Sequence, residues 1–250
     1  MIITIFNEYH PNERVGKTEK VYPGGIHSAL KTIFGDEHTV RTVTQEEAYN
    51  GLPDNVLDST DVLIWWSKNW DKEVLNSVAD KVVSRVLSGM GAVFLHSAKN
   101  SKPFLRLTGT TAATADIPPW KEPGERERLY VTAPSHPIAA GIPSGYIIPN
   151  EEPYCEYFDI PKPDDIVFLG GYENGMCIRA GVTFTRGLGK IFYFQPGHDT
   201  FPVYHDPVIR KIIRNAVMWA SPAAKPETFT PPPKENPGFF RKLISLPKKM

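Results

Sequence analysis

The most constraining stretch of the chain is a strand–helix–strand unit between Asp61 and Leu95. Asp61-Val62-Leu63-Ile64-Trp65-Trp66 is an apolar run of strand length that ends at Ser67-Lys68. An amphipathic helix is predicted over Asp71 to Ser88, with Val74, Val78, Val82, Val86 and Leu87 at helical spacing and Gly89 as its stop. A second apolar run, Ala92 to Leu95, then breaks into His96-Ser97-Ala98-Lys99. So long a connection is no hairpin, which makes the two strands parallel and joined by a right-handed crossover. Parallel strands bury both faces, so helices are expected on both sides of the sheet.

The rest of the first half repeats this pattern. Ile2 to Phe6 reads as the first, central strand, ending in Asn7-Glu8-Tyr9, and a polar loop runs through Lys20. Tyr22-Pro23-Gly24-Gly25 introduces a helix with Ile26, Ala29, Leu30 and Ile33 on one face and Gly35 as its stop. Thr39 to Val43 is a second strand, and Gln45 to Leu57 a short helix and loop. Beyond Gly109 the texture changes. Thr110 to Pro123 reads as loop, Arg126 to Thr132 as a strand, Ser135 to Gly141 as a turn and short helix, and Asp165 to Gly170 as a strand. Cys177 to Phe184 and Lys190 to Phe194 flank a hairpin-type loop, Thr185-Arg186-Gly187-Leu188-Gly189. Asp206-Pro207 opens a last amphipathic helix with Val208, Ile212, Ile213, Val217 and Trp219.

Residues 1–220 are thus expected to form one α/β domain, with 221–250 as a Pro-rich basic tail. The tail holds six Lys or Arg against two Glu, +4, which leaves −4 for the body of a chain with zero net charge. Phe239, Phe240, Leu243, Ile244 and Leu246 could form a short amphipathic helix, with docking on the chain's own body preferred over a subunit partner or a membrane surface.

Composition narrows the function classes. With 41% hydrophobic residues, 22% charged and no net charge, the chain reads as an ordinary globular protein without a field for nucleic acid. Cys155 and Cys177 lack metal-type spacing and point to a reducing compartment. No signal peptide, transmembrane segment or phosphate-binding glycine loop is legible, so a cytoplasmic location is expected and a nucleotide site is not.

Ligands of open parallel sheets gather at the carboxyl ends of the strands, where His96 and Ser97 stand. Ser97 lacks the flanking glycines of a nucleophile elbow and reads as a hydrogen-bonding or capping residue. His96, His198 and His205, joined by Glu152 or Glu125, could be a zinc set, or the histidines could be hydrogen-bonded structural residues; for His96 and His198 both readings stand. His10, His38 and His136 read as structural. In Gly124-Glu125-Arg126-Glu127-Arg128-Leu129 the two acids share one strand face and the two arginines the other. A solvated edge strand is the commoner cause of such a pattern; an Arg–carboxylate network behind a site is the sharper one. Tyr9, Tyr22, Trp65, Trp66, Trp70 and Tyr154 offer rings for core packing or sugar stacking.

Taken together, Asn7-Glu8-Tyr9, Tyr22-Pro23-x-Gly25-Ile26-His27, Asp61 to Trp66, Gly91 to Ser97, Gly124 to Leu129, Phe184 to Phe194 and Pro196-Gly197-His198 resemble the ThuA, or trehalose utilisation, family over about residues 1–220. The resemblance implies a three-layer αβα flavodoxin-like sandwich with a mostly parallel central sheet, of the class I glutamine amidotransferase-like type. It implies a role on trehalose or a keto-disaccharide. The amidotransferase cysteine is missing after Leu95, so glutamine hydrolysis is not implied. His96, Glu125, Glu152, Arg186, His198 and His205 match polar positions of the family.

Two departures stand out. Where the family tends to carry histidines after the third and fourth strands, this chain has Ser67-Lys68 and Ala98-Lys99. A charged lysine has no lone pair for a metal, so no metal ligand and no firm cofactor is expected, and zinc is weakened. The expected catalytic group is His96, His198, Glu152, Lys99 and Lys68, with Asn7, Tyr22, Ser97, Glu125, Arg186 and His205 binding substrate. A small-molecule sugar is the expected partner, with homo-oligomerisation left open. The alternative is a non-catalytic scaffold or regulatory relative.

Overall fold

The computed structural model describes residues 1–116 and 123–222, so residues 117–122 of the predicted loop and the tail from 223 onward lie outside it. In chain order the first half holds β1 (Ile2–Asn7), α1 (Gly16–Val21), α2 (Ile26–Lys31), β2 (Thr39–Thr44), α3 (Asp54–Ser59), β3 (Val62–Trp66), α4 (Asn76–Leu87), β4 (Gly91–Leu95) and α5 (Lys102–Thr108). Two expectations need correction. The polar stretch before Lys20 contains α1. The long helix starts at Asn76 rather than Asp71, because Asp71 turns back to bind Ser67 Oγ at 2.5 Å.

The second half holds β5 (Glu125–Val131), β6 (Tyr146–Glu151), β7 (Asp165–Tyr172), β8 (Cys177–Arg186), β9 (Gly189–Phe194) and α6 (Pro207–Ala220). The nine strands of the described residues join one sheet in the order β2-β1-β3-β4-β9-β8-β7-β5-β6. Pairing is parallel from β2 to β9 and antiparallel from β9 to β6. The sheet is therefore mixed. Gly187-Leu188 joins β8 to β9 directly, and so short a turn can only connect antiparallel neighbours. β6 is an edge strand, the one place where its Pro149 costs no ladder bond.

Trp65 and Trp66 on β3 are completely buried, and Phe6 stacks on Trp65 at 3.9 Å. α2 packs on β1 and β2, and α6 on β4 and β9. Gly91 permits the second contact, because a Cβ there would collide with the carbonyl oxygen of Ala220.

Strand direction decides what reaches the upper edge. Four antiparallel steps from β9 bring β6 back to the direction of the parallel strands, so Glu151 ends at the same edge as Asn7, Trp66, Leu95 and Phe194. A flat sheet would hold β6 and β9 about 19 Å apart. Here Gln195 Nε2 donates to the Glu152 carbonyl at 3.0 Å, so the sheet coils until its far edge meets the end of β9. Among the described residues, no helix is long and apolar enough to cross a membrane.

Candidate functional site

Four loops meet at this edge. The turn after β4 presents His96, whose backbone lies at φ +52°, a conformation that costs a non-glycine residue about 1–3 kcal/mol. The end of β6 supplies Glu152, the loop after β3 supplies Lys68, and the loop after β9 supplies His198 and Asp199. His96 is wholly enclosed. Its Nδ1 faces the Gln195 carbonyl at 2.8 Å and its Nε2 faces Glu152 Oε2 at 3.0 Å, while Tyr154 stacks on the ring at 5.1 Å. Burial opposes a charge on this imidazole, yet the hydrogen bond to Glu152 and the nearby Glu151 carboxyl carry its pKa above the usual value. Glu152 shows the converse. Burial would raise its pKa, but the bond to His96 and the charges of His96, His198 and Lys68 bring it down to about 2.

His198 has the opposite character. Burial, helped by the positive charges of His96 and Lys68, lowers its pKa to about 4, so the ring is neutral near pH 7. The Lys68 ammonium lies 3.1 Å from its Nε2. With Nε2 accepting from the ammonium, the ring's one proton sits on Nδ1, where Thr200 Oγ1 (3.0 Å) and Asp199 Oδ1 (3.3 Å) can accept it. Lys68 Nζ also donates to Asp199 Oδ1 at 2.8 Å. Asp199 is buried, but the Lys68 and His198 charges hold its carboxyl below the usual range.

Two further carboxyl groups fix the loops. Glu8, just past β1, accepts from the backbone N–H groups of Lys68 (2.9 Å), Asn69 (2.8 Å) and Trp70 (2.8 Å). Glu151 accepts from those of Gly197 (2.7 Å), His198 (3.1 Å) and Glu152 (2.8 Å). Complete burial, outweighing those bonds, pushes the Glu151 pKa up to about 7. Neither acid was singled out from the sequence, nor was Asp199. Their one legible signal is position, each lying directly beside a strand end or a candidate histidine.

Of the expected site residues, His96, Glu152, His198 and Lys68 come together. Lys99 lies one layer behind, where its Nζ donates to Asn100 Oδ1 (3.1 Å) and the Ala112 carbonyl (3.0 Å) and sits over the Tyr154 ring. Burial lowers its pKa. Ser97 Oγ bonds the Tyr154 hydroxyl at 2.9 Å and so supports the ring that covers His96. Asn7 is buried, with Nδ2 3.0 Å from both Glu13 Oε2 and His27 Nδ1. Tyr22 is buried too, and its hydroxyl donates to the Phe201 carbonyl at 2.5 Å. His205 stacks on Tyr22, faces the Val21 carbonyl at 2.9 Å, and lines a separate cleft of about 310 Å³ with Ile148, Pro202 and Val203.

Glu125 and Arg186 require correction. Arg186 lies at the opposite edge of the sheet, beside the start of β9, and donates to the Leu107 carbonyl at 2.9 Å. Six residues of β9 put roughly 20 Å between it and the histidines. Glu125 is turned to the surface, with Asn174 Nδ2 3.1 Å away, because the register shifts between it and Glu127. Nor is β5 a solvated edge: it lies between β7 and β6, with Glu127 completely buried and Arg126 and Arg128 exposed.

The zinc reading can be tested on the donor set. His198 Nε2 and Asp199 Oδ1 both point at the Lys68 ammonium rather than at an open position. A dication about 4 Å from that ammonium would meet about 8 kcal/mol of repulsion at an effective dielectric near 20. Among the described residues no three metal-ligating side chains converge. These residues do not fit zinc.

Fold and site together define an α/β protein whose polar cluster stands at the carboxyl ends of parallel strands. The sequence profile of the ThuA family, trehalose utilisation, matches residues 11–220, and the chain belongs to that family. Solved structures agree in fold. A protein from Parabacteroides merdae described as ThuA-like has a TM-score of 0.64 at 17% identity, over 90% of this chain and 91% of that one. Its counterpart from Bacteroides uniformis has a TM-score of 0.63 at 16% identity, over 88% and 91%. A cytoplasmic protein from Salmonella typhimurium has a TM-score of 0.60 at 13% identity, over 89% and 99%. No curated protein matches the chain.

Proposed function

We infer that the chain serves carbohydrate utilisation by binding a neutral or oxidised disaccharide, trehalose or a keto-derivative, at the carboxyl edge of the sheet. The observation that carries this reading is the partly exposed pair of Lys68 and Glu152, held rigidly at the mouth of the His96–His198 cluster in a chain of the trehalose utilisation family. Two protons of the Lys68 ammonium are directed at His198 and Asp199, and the third can polarise a ligand carbonyl. Glu152, ionised and 20% exposed, can accept a sugar hydroxyl. His198 is the one neutral base of the cluster. Asn7, Tyr22 and Ser97 act from behind by supporting the loops, and Lys99 by supporting Tyr154. The architecture is read as a three-layer sandwich of the flavodoxin and class I glutamine amidotransferase type, with one domain over 1–220, in a cytoplasmic protein.

One observation favours a second reading, that of a non-catalytic binding or regulatory relative. Both nitrogens of His96 are engaged and its ring is enclosed, while the pKa values of His198 and Glu152, about 4 and about 2, make both weak bases at neutral pH. Thermal melting with trehalose and with 3-keto-disaccharides at millimolar concentration tests the first reading. Saturating sugar should raise Tm by several degrees, and less in Lys68→Met. An unchanged Tm with every sugar overturns the sugar reading and leaves the second.

A further inference from the structure

An imidazole nitrogen, His198 Nε2, and a carboxylate oxygen, Asp199 Oδ1, converge on the Lys68 ammonium at 3.1 and 2.8 Å. A second carboxylate oxygen, Glu152 Oε2, lies 3.9 Å from the same imidazole nitrogen. These are donor types that bind zinc, yet the place between the first two is filled by a charge on the protein's own chain. The Lys68 ammonium is faced by two carboxylates, Asp199 at 2.8 Å and Glu152 beside His198. The loop that carries it is held in place, because the Lys68 backbone N–H donates to Glu8 Oε2 at 2.9 Å.

We propose that Lys68 is the resident cation of this site, its ammonium standing between His198 Nε2 and Asp199 Oδ1, and that it makes the cluster metal-independent. Removing the ammonium leaves two carboxylates beside the His198 imidazole without their lysine counter-charge, a set that attracts a dication. The inference concerns the same cluster as the sugar reading but stands apart from it, since zinc content and sugar response are read in separate measurements and either can fail alone.

The test uses full-length chain purified without an affinity tag, as wild type, Lys68→Ala and Lys68→His. Zinc is counted by elemental mass spectrometry and titrated as zinc chloride by calorimetry, with thermal melting in chelator to establish that each variant is folded. Wild type is expected to carry only trace zinc, to show no saturable uptake and to melt identically with and without chelator. Lys68→Ala or Lys68→His is expected to take up about one zinc per chain and to gain Tm with zinc, a gain that adding His198→Ala abolishes. Near-stoichiometric zinc in wild type overturns the proposal whatever the variants do. So does a folded variant that takes up no zinc, or one whose uptake survives loss of His198.

Discussion

Glu127 on β5 has both carboxyl oxygens buried without a hydrogen-bond partner, pressed against Gly170 of β7, where a side chain would displace it. The Tyr172 hydroxyl, which draws the Glu127 pKa down, also donates to Gln195 Oε1 at 3.3 Å. Burial first, and the Glu151 carboxyl second, raise the Glu127 pKa well above its ordinary 4.5. An unsatisfied buried polar group costs about 1–3 kcal/mol, and an apolar side chain of similar length removes that cost. Glu127→Met is therefore expected to raise stability by about 1–3 kcal/mol at pH 7. The sign with pH follows from the direction of the shift. A raised acid stabilises fully below its unfolded value and loses that contribution as pH rises through its folded value. The advantage of the variant should thus widen as pH rises above the unfolded value of 4.5. Urea midpoints at several pH values measure it, and a fall in midpoint would mean that the acid is needed where it stands.

At the scale of elements, the candidate site is a set of loops stapled by carboxylates. Glu8 alone gathers three backbone N–H groups from the loop after β3. Glu8→Gln keeps the size but loses the charge-assisted bonds, for a cost of about 2–3 kcal/mol. Amide exchange of Lys68, Asn69 and Trp70 should accelerate while that of β4 stays slow, because the parallel ladder does not depend on this acid. Uniform acceleration across the sheet would instead indicate global destabilisation. The same staples show why the sequence reveals only part of the site. Apolar runs announce β1, β3 and β4, so His96 and Lys68 could be placed at strand ends by counting. Glu152 and His198 resemble family positions, but their meeting depends on a sheet that coils through four antiparallel strands. One of these, β6, is polar at its end and carries Pro149, so no period-2 pattern marks it. Arg186 was misplaced for a related reason: a hairpin loop looks the same in sequence whichever end of the sheet it occupies. Glu8, Glu151 and Asp199 are ordinary acids until the fold brings backbone donors or an ammonium to them.

For the whole molecule, the buried ionisable groups oppose one another in their pH dependence, and their balance sets where the chain is most stable. Burial raises Glu13 to about 8, Asp71 to about 7 and Glu151 to about 7, so each contributes fully below its unfolded value and loses that contribution as pH rises through these points. His96, raised by Glu152, loses its contribution in the same direction above its ordinary 6.5. His198 acts with the opposite sign. Its folded value of about 4 lies below the unfolded 6.5, so stability drains away as pH falls between the two. Glu152, held at about 2, adds a second acid-side loss that begins below its unfolded 4.5. Four acids, Glu127 included, and one imidazole weaken the fold toward alkaline pH, while the lowered imidazoles His198, His27 and His136 and lowered carboxyls such as Glu152 and Asp199 weaken it toward acid. The maximum of Tm is therefore expected on the acid side of neutrality. Glu13→Gln isolates one contribution. Its amide oxygen can still accept from His10 N–H, which lies 2.8 Å from Glu13 Oε1, and it cannot ionise. Calorimetric melting from pH 4 to 9 should show the alkaline limb flattened in Glu13→Gln and the acid limb unchanged. A Tm maximum above pH 7, or an alkaline limb indifferent to residue 13, would mean that these buried acids do not govern the profile.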